Sequence, residues 1–236
     1  MSAEAQVIRQ MEERVQRWQA AADQRAVFLH CYMLMTANML AALDAGEFED
    51  RLWVDHLLNR FAGYYFEALD LYDQDRAAAP AVWRAAHDAT LGSHCLAVQR
   101  LFLGVNAHIN YDLVLALAEL LEPEWGEADE AQRRLRYRDH CQVNHVIART
   151  VDAVQDQVVE RSEPELDLVD RLMGPLDEWL TARLIRRWRD EVWRNALRYL
   201  EATRPTARDA LREQLEAATL RRARAILLGG AVGFGE

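Results

Sequence analysis

The stretch Gly104-Val105-Asn106-Ala107-His108-Ile109-Asn110-Tyr111-Asp112 sets polar side chains at helical spacing inside an otherwise apolar run. At about 100° per residue, His108 and Asp112 fall one turn apart on one side of a helix, and Glu119 continues their stripe. Asn106 and Asn110 form a second i,i+4 pair on nearly the opposite side. The apolar complement (Phe102, Val105, Ile109, Leu113, Leu117, Leu120) leaves little room for a solvated face. This helix is therefore predicted to be central, with Asn106, His108 and Asp112 buried. An amide, an imidazole and a carboxylate buried without partners would cost on the order of several kcal/mol, so they form either a satisfied network or a site.

Outward from this stretch the apolar spacing stays helical, and neither an Asn-Gly hairpin nor a period-2 strand interrupts it. Helices are predicted over about 3–22, 24–44, 50–76, 80–89, 92–122, 129–161, 164–173, 175–203 and 205–228. Pro80, Pro164, Pro175 and Pro205 each stand where a helix can begin, and Gly46, Gly92 and Gly229 mark stops. Val7, Met11, Val15 and Trp18 give the first helix a single apolar stripe, whereas Val27 to Leu43 is apolar nearly all round. The expected fold is all-α: one domain over 1–228, a bundle of about eight or nine helices around a partly polar interior, with a flexible tail over 229–236. Helices 24–44, 50–76, 92–122, 129–161 and 175–203 are expected to surround that interior.

All 28 basic residues are arginine, and the formal charge is −10. A nucleic-acid footprint needs a clustered basic face, so that class of partner is not expected. The basic charge does collect toward the C-terminus, where Arg183, Arg186, Arg187, Arg189, Arg194 and Arg198 are interleaved with Asp190 and Glu191, the spacing of a solvated face with internal ion pairs. Cys31, Cys95 and Cys141 are odd in number and widely spaced, which is not a disulfide framework. Each follows a histidine, yet adjacent helical residues point about 100° apart and one such pair cannot easily ligate one ion. The N-terminus lacks the continuous apolar core of a signal peptide, and no uninterrupted apolar run approaches the roughly 18 to 20 residues of a membrane span. Cytoplasmic residence without a membrane span is the expectation.

A His-x-x-x-Asp pair can supply two ligands to a divalent metal, or an imidazole oriented by a carboxylate for general-base work. A zinc site would need a third protein ligand, for which His94, His30, His56 and His145 are available. Alternatively, Asn106 and Asn110 bond to backbone groups at a helix break near Gly104 while Asp112 pairs with a buried arginine, and the cluster fixes register. The acidic run Asp70-Leu71-Tyr72-Asp73-Gln74-Asp75 abuts a helix end and lacks a second metal-binding motif, so a capping turn is expected there. No Walker loop, dinucleotide fingerprint or nucleophile elbow is present.

The motif Gly104-Val105-Asn106-Ala107-His108-Ile109-Asn110-Tyr111-Asp112-Leu113, followed by Ala116-Leu117, resembles the signature of an uncharacterised bacterial family, domain of unknown function 5995. Phe61-Ala62, Tyr65-Phe66 and Ala68-Leu69 are similar to a family helix. Asp139 with Val143-Asn144 is similar to its later Asp-x-x-x-Val-Asn element, and Arg189, Trp193, Ala196 and Leu200 to its C-terminal helix. The resemblance covers roughly residues 50 to 200 and implies fold and residue choice, not a reaction. It adds Asp139 and Asn144, on the helix 129–161, as polar groups expected to share one interior with the 106–112 cluster; His145, Arg149, Asp152 and Asp156 further along that helix have the spacing of a solvated face.

The expected function is an enzyme acting on a small, largely apolar molecule, in biosynthesis or hydrolysis. His108, Asp112, Asn110 and Asp139 are the candidate catalytic residues, and Asn106, Asn144, Tyr65 and His94 the candidate substrate-binding ones. His108 and Asp112 are also the candidate ligands of a divalent metal. The alternative is a non-catalytic helical protein that binds a ligand or partner, with the same residues as a structural network.

Overall fold

The computed structural model describes residues 3–92, 95–154 and 176–229. His94, Pro164, Pro175 and Asp156, the helix expected over 164–173 and the tail beyond Gly229 lie outside the described residues. Within them the chain is all-α and contains no strand. The helices are α1 (Ala3–Ala20), α2 (Ala26–Asp44), α3 (Arg51–Gln74), α4 (Ala81–Leu91), α5 (Ala97–Ala107), α6 (Leu113–Trp125), α7 (Glu130–Val154), α8 (Leu176–Glu201) and α9 (Pro205–Leu227). Between α5 and α6 the chain stays helical through a single π turn, His108–Asp112, so that Ala97–Trp125 is one continuous helix.

Contacts divide the chain into two compact units, each made of two chain segments. Met1–Asp55 groups with Asp129–Arg187, and His56–Ala128 with Trp188–Glu236. In the first unit α1 packs on α2 through Met11, Val15 and Trp18, and α2 packs on α7. Helix α2 ends as a Schellman motif: Gly46 takes the left-handed conformation (φ 72°), its N–H reaches Leu43 O, and Glu47 N–H reaches Ala42 O. Asp50 then caps α3, accepting the Trp53 N–H at 3.0 Å.

In the second unit, α4 and α5 pack together, and α9 lies against α4, α5 and the π turn. Pro80 occupies the N-cap of α4 and Pro205 the first turn of α9, positions where the missing N–H costs no intrahelical bond. Helix α5 starts at Ala97, later than its expected start near 92. Gln99 fixes that start, because its side chain accepts the Leu96 N–H at 2.9 Å and donates to Ile226 O at 3.0 Å at the end of α9. Helix α6 runs past its expected end, with Pro123 in its last turns. The acidic run forms the last turn of α3, and Asp75, just past its end, accepts the Ala77 N–H in the turn that follows.

Among the described residues two helices are long and apolar enough to cross a membrane by length and composition, although neither is an uninterrupted apolar run. They are Ala26–Asp44, half of whose apolar window is buried, and Ala97–Trp125, whose window is 89% buried. The core helix of a compact unit satisfies the same criterion.

Candidate functional site

The central helix of the second unit presents its two polar pairs in two directions. Asn106, His108, Asn110 and Asp112 are all buried. On one side His108 Nδ1 lies 3.0 Å from Asp112 Oδ2, and the same oxygen accepts the indole N–H of Trp83 at 2.9 Å. The arginine expected beside Asp112 is replaced by this indole. Phe61 stacks flat on the imidazole, with centroids 3.5 Å apart and planes 8° apart. Tyr65 meets the same ring edge-on at 6.1 Å, and Trp83 leans on it at 6.0 Å. Phe61 and Tyr65 come from one face of α3, Trp83 from α4, and the pair itself from the π turn. Of these side chains Phe61 alone is not fully buried.

Burial governs the charge of the pair. It holds the His108 imidazole well below its usual range. It also drives the Asp112 carboxyl well above the usual carboxylate range; the Trp83 hydrogen bond opposes that shift and the nearby Glu67 charge adds to it. Both shifts favour the uncharged form of each group. The shared contact at Oδ2 fits this state: a hydroxyl there donates to Nδ1 while accepting from Trp83.

On the other side the two asparagines join α9. Asn110 Nδ2 donates to Asn106 Oδ1 at 3.0 Å, and Asn106 Nδ2 donates to Thr219 O at 3.0 Å. The Thr219 hydroxyl returns a bond of 3.4 Å to the Asn110 carbonyl inside the π turn. Helix α5 runs through Gly104 without a break, so the backbone partners of this network lie on a neighbouring helix. Their arrangement is structural in kind: both amide nitrogens and the Thr219 hydroxyl bond to acceptors within the unit.

The remaining candidates fall elsewhere. Asp139 and Asn144 are on α7, which groups with α1 and α2 rather than with α5 and α6. Asp139 is buried and its two oxygens accept the N–H groups of Glu49 and Asp50 at 2.8 and 2.9 Å, just ahead of α3. Asn144 is half-buried; His145 and Arg149 are exposed, and Arg149 pairs with Glu47. Glu119, on the His108 stripe by spacing, is exposed and accepts Arg60 Nε at 2.8 Å and the Tyr64 hydroxyl at 3.0 Å. Among the described residues no three His, Cys, Asp or Glu side chains converge to hold a metal, so His108 and Asp112 meet no third ligand there. The three cysteines are free thiols.

Trp83 and Thr219 escape the sequence reading. A signal existed for Thr219, which interrupts the buried stripe Leu215, Ala223, Ile226 of α9. Trp83 carries no such mark, because an indole on an apolar face reads as core.

A helical unit with a buried imidazole–carboxyl pair is the class defined by this geometry, and the match to known proteins agrees with the central motif. The chain belongs to a family of unknown function, DUF5995, whose model matches residues 5–229. Neither a curated protein nor a solved structure matches it.

Proposed function

We propose that the protein is an enzyme performing proton transfer on a small, largely apolar molecule, biosynthetic or hydrolytic, with His108 as acid–base and Asp112 as its partner. The observation that carries this reading is the pair itself, buried and set on a π turn, with burial favouring its uncharged forms. Such turns are rare and frequent at functional sites. With Nδ1 engaged by Asp112, Nε2 is the nitrogen at which a substrate proton would be exchanged. A proton leaving Nε2 is replaced by the Asp112 proton passing to Nδ1, which keeps the imidazole neutral throughout. Trp83 fixes the carboxyl, and Phe61, the wall nearest solvent, is the side chain a substrate would displace. Tyr65 and Trp83 supply the apolar walls that a small apolar substrate requires.

A second reading has its own support. The Asn106–Asn110–Thr219 bonds show that half of the motif serves to join helices, and a non-catalytic protein could use the other half likewise.

Asp112→Asn separates the two readings. An amide oxygen in place of Oδ2 still accepts from Trp83 and, with the imidazole in its other tautomer, accepts from His108 Nδ1–H, but the mobile proton is gone. A panel of small apolar esters and carbonyl compounds would be assayed with wild type and variant, alongside thermal melts. Turnover by wild type that vanishes in Asp112→Asn at an unchanged melting temperature is the expected result. Turnover unaffected by the substitution would overturn the role of the pair.

A further inference from the structure

The described residues of the second unit contain a groove of about 320 Å³ between α8 and α9. Its rim carries Arg198, Arg221 and Arg222 against the single acid Glu191, and its floor includes Leu211, Leu215 and Ala218. Elsewhere in this acid-rich chain Arg60, Arg76, Arg138, Arg149 and Arg208 each form an ion pair with a carboxylate, while Arg84 and Arg194 bond to backbone carbonyls. In the groove only Arg222 forms such a pair, at 2.6 Å from Glu191. Arg198 reaches the side-chain oxygen of Asn195 at 3.5 Å, and neither it nor Arg221 meets a carboxylate among the described residues. Three arginines against one glutamate leave the groove at +2 in a chain whose formal charge is −10.

We propose that this groove binds a small amphiphilic oxyanion, a carboxylate or phosphate monoester carried on a short apolar body. A guanidinium presents its donors as a planar fork matched to two oxygens of such a group, so arginines that line one cleft without a carboxylate are suited to an oxyanion. The leucine and alanine floor would cover the apolar body. The volume lies at the lower end of the roughly 300–1,000 Å³ common for small-molecule sites, which sets the ligand size. None of these residues belongs to the His108–Asp112 pair, so the inference stands or falls apart from the proposed chemistry.

The test is calorimetric titration of the full chain with hexanoate, hexyl phosphate, inorganic phosphate and hexan-1-ol. One-to-one binding of hexanoate or hexyl phosphate with a dissociation constant below about 1 mM, at least tenfold tighter than either inorganic phosphate or hexan-1-ol, is expected. The stronger of the two amphiphiles distinguishes a carboxylate from a phosphate ligand. The double variant Arg198→Gln/Arg221→Gln should weaken that binding at least tenfold, and Ala218→Trp, which fills the floor without touching the charge, should do the same. Absence of binding by both amphiphiles, equal binding of hexan-1-ol, equal binding of inorganic phosphate, or binding unchanged in both variants would overturn the proposal.

Discussion

Asp112 stands between the Trp83 indole N–H, which donates to it, and His108 Nδ1, which faces the same oxygen, and the cost of changing it depends on what replaces that oxygen. Asp112→Ala leaves the indole N–H and His108 Nδ1 buried and without this partner, each costing about 1–3 kcal/mol. Asp112→Asn keeps both bonds, so its unfolding free energy should stay within about 1 kcal/mol of wild type. Denaturant titration of the two variants measures the difference. The pH dependence separates them further. Asp112, raised by burial, holds its proton in the folded state above the unfolded value of about 3.9; stability from this group is complete below that pH and is lost as pH rises toward its folded pKa. His108, lowered by burial, gives the opposite slope: its neutral form is the folded one, so stability is complete above the unfolded value of about 6.5 and is lost as pH falls toward its folded pKa. From about pH 4 upward the Asp112 contribution falls toward its folded pKa, and below about 6.5 the His108 slope opposes it. Asp112→Asn, which has no proton to lose, should therefore gain stability relative to wild type as the pH rises from about 4 in a series of melts. A difference between wild type and variant that does not change with pH would mean that the carboxyl is not the group responsible.

At the scale of the helix, the π turn is held from two sides, by the pair facing α3 and α4 and by the asparagines facing α9. Asn106 is the hub of the second side, since its removal leaves Asn110 Nδ2 without this acceptor and takes the second bond from the Thr219 carbonyl, which keeps its own helical one. Asn106→Ala should therefore cost about 2–4 kcal/mol, two lost buried bonds and one unpaired amide. Thr219→Val removes only the long 3.4 Å bond to the Asn110 carbonyl and should cost about 1 kcal/mol or less. Chemical denaturation of both variants tests the ranking. The directions of the two polar pairs were legible from their i,i+4 spacing, and so was their burial, because the apolar residues of the helix left no exposed face. The π turn was not legible. Its extra residue shifts the helical phase by only part of a turn, within the tolerance of any reading at 3.6 residues per turn. Partners were harder still: periodicity assigns His108 and Asn106 to sides of a helix but does not say which neighbouring helix arrives there, which is why Asp112 was matched to an arginine and met an indole.

For the whole molecule the same blindness to neighbours separates the legible from the hidden. Each helix carried its own apolar stripe, so an all-α fold followed from the sequence. Nothing in the uninterrupted pattern of α3 marks the passage at Asp55 and His56 from one compact unit to the other. Asp139 shows the consequence. Its match to the family's Asp-x-x-x-Val-Asn element suggested a site residue, whereas its oxygens hold the two backbone N–H groups that precede α3 in the first unit. Asp139→Ala should leave both N–H groups without this acceptor and destabilise that unit by about 1–3 kcal/mol. Cys31 offers a local readout. It is buried in α2 of the same unit, and burial pushes its thiol up to about 12, so it labels with iodoacetamide only when the unit opens. Each 1.4 kcal/mol lost from the folded unit raises the open population about tenfold, so Cys31 should label about 5- to 100-fold faster in Asp139→Ala than in wild type. Half-buried Cys95 and Cys141 provide the reference, labelling ahead of Cys31 in the native chain. Peptide mass mapping after timed labelling gives the three rates separately, and an unchanged Cys31 rate in the variant would show that Asp139 does not anchor the unit.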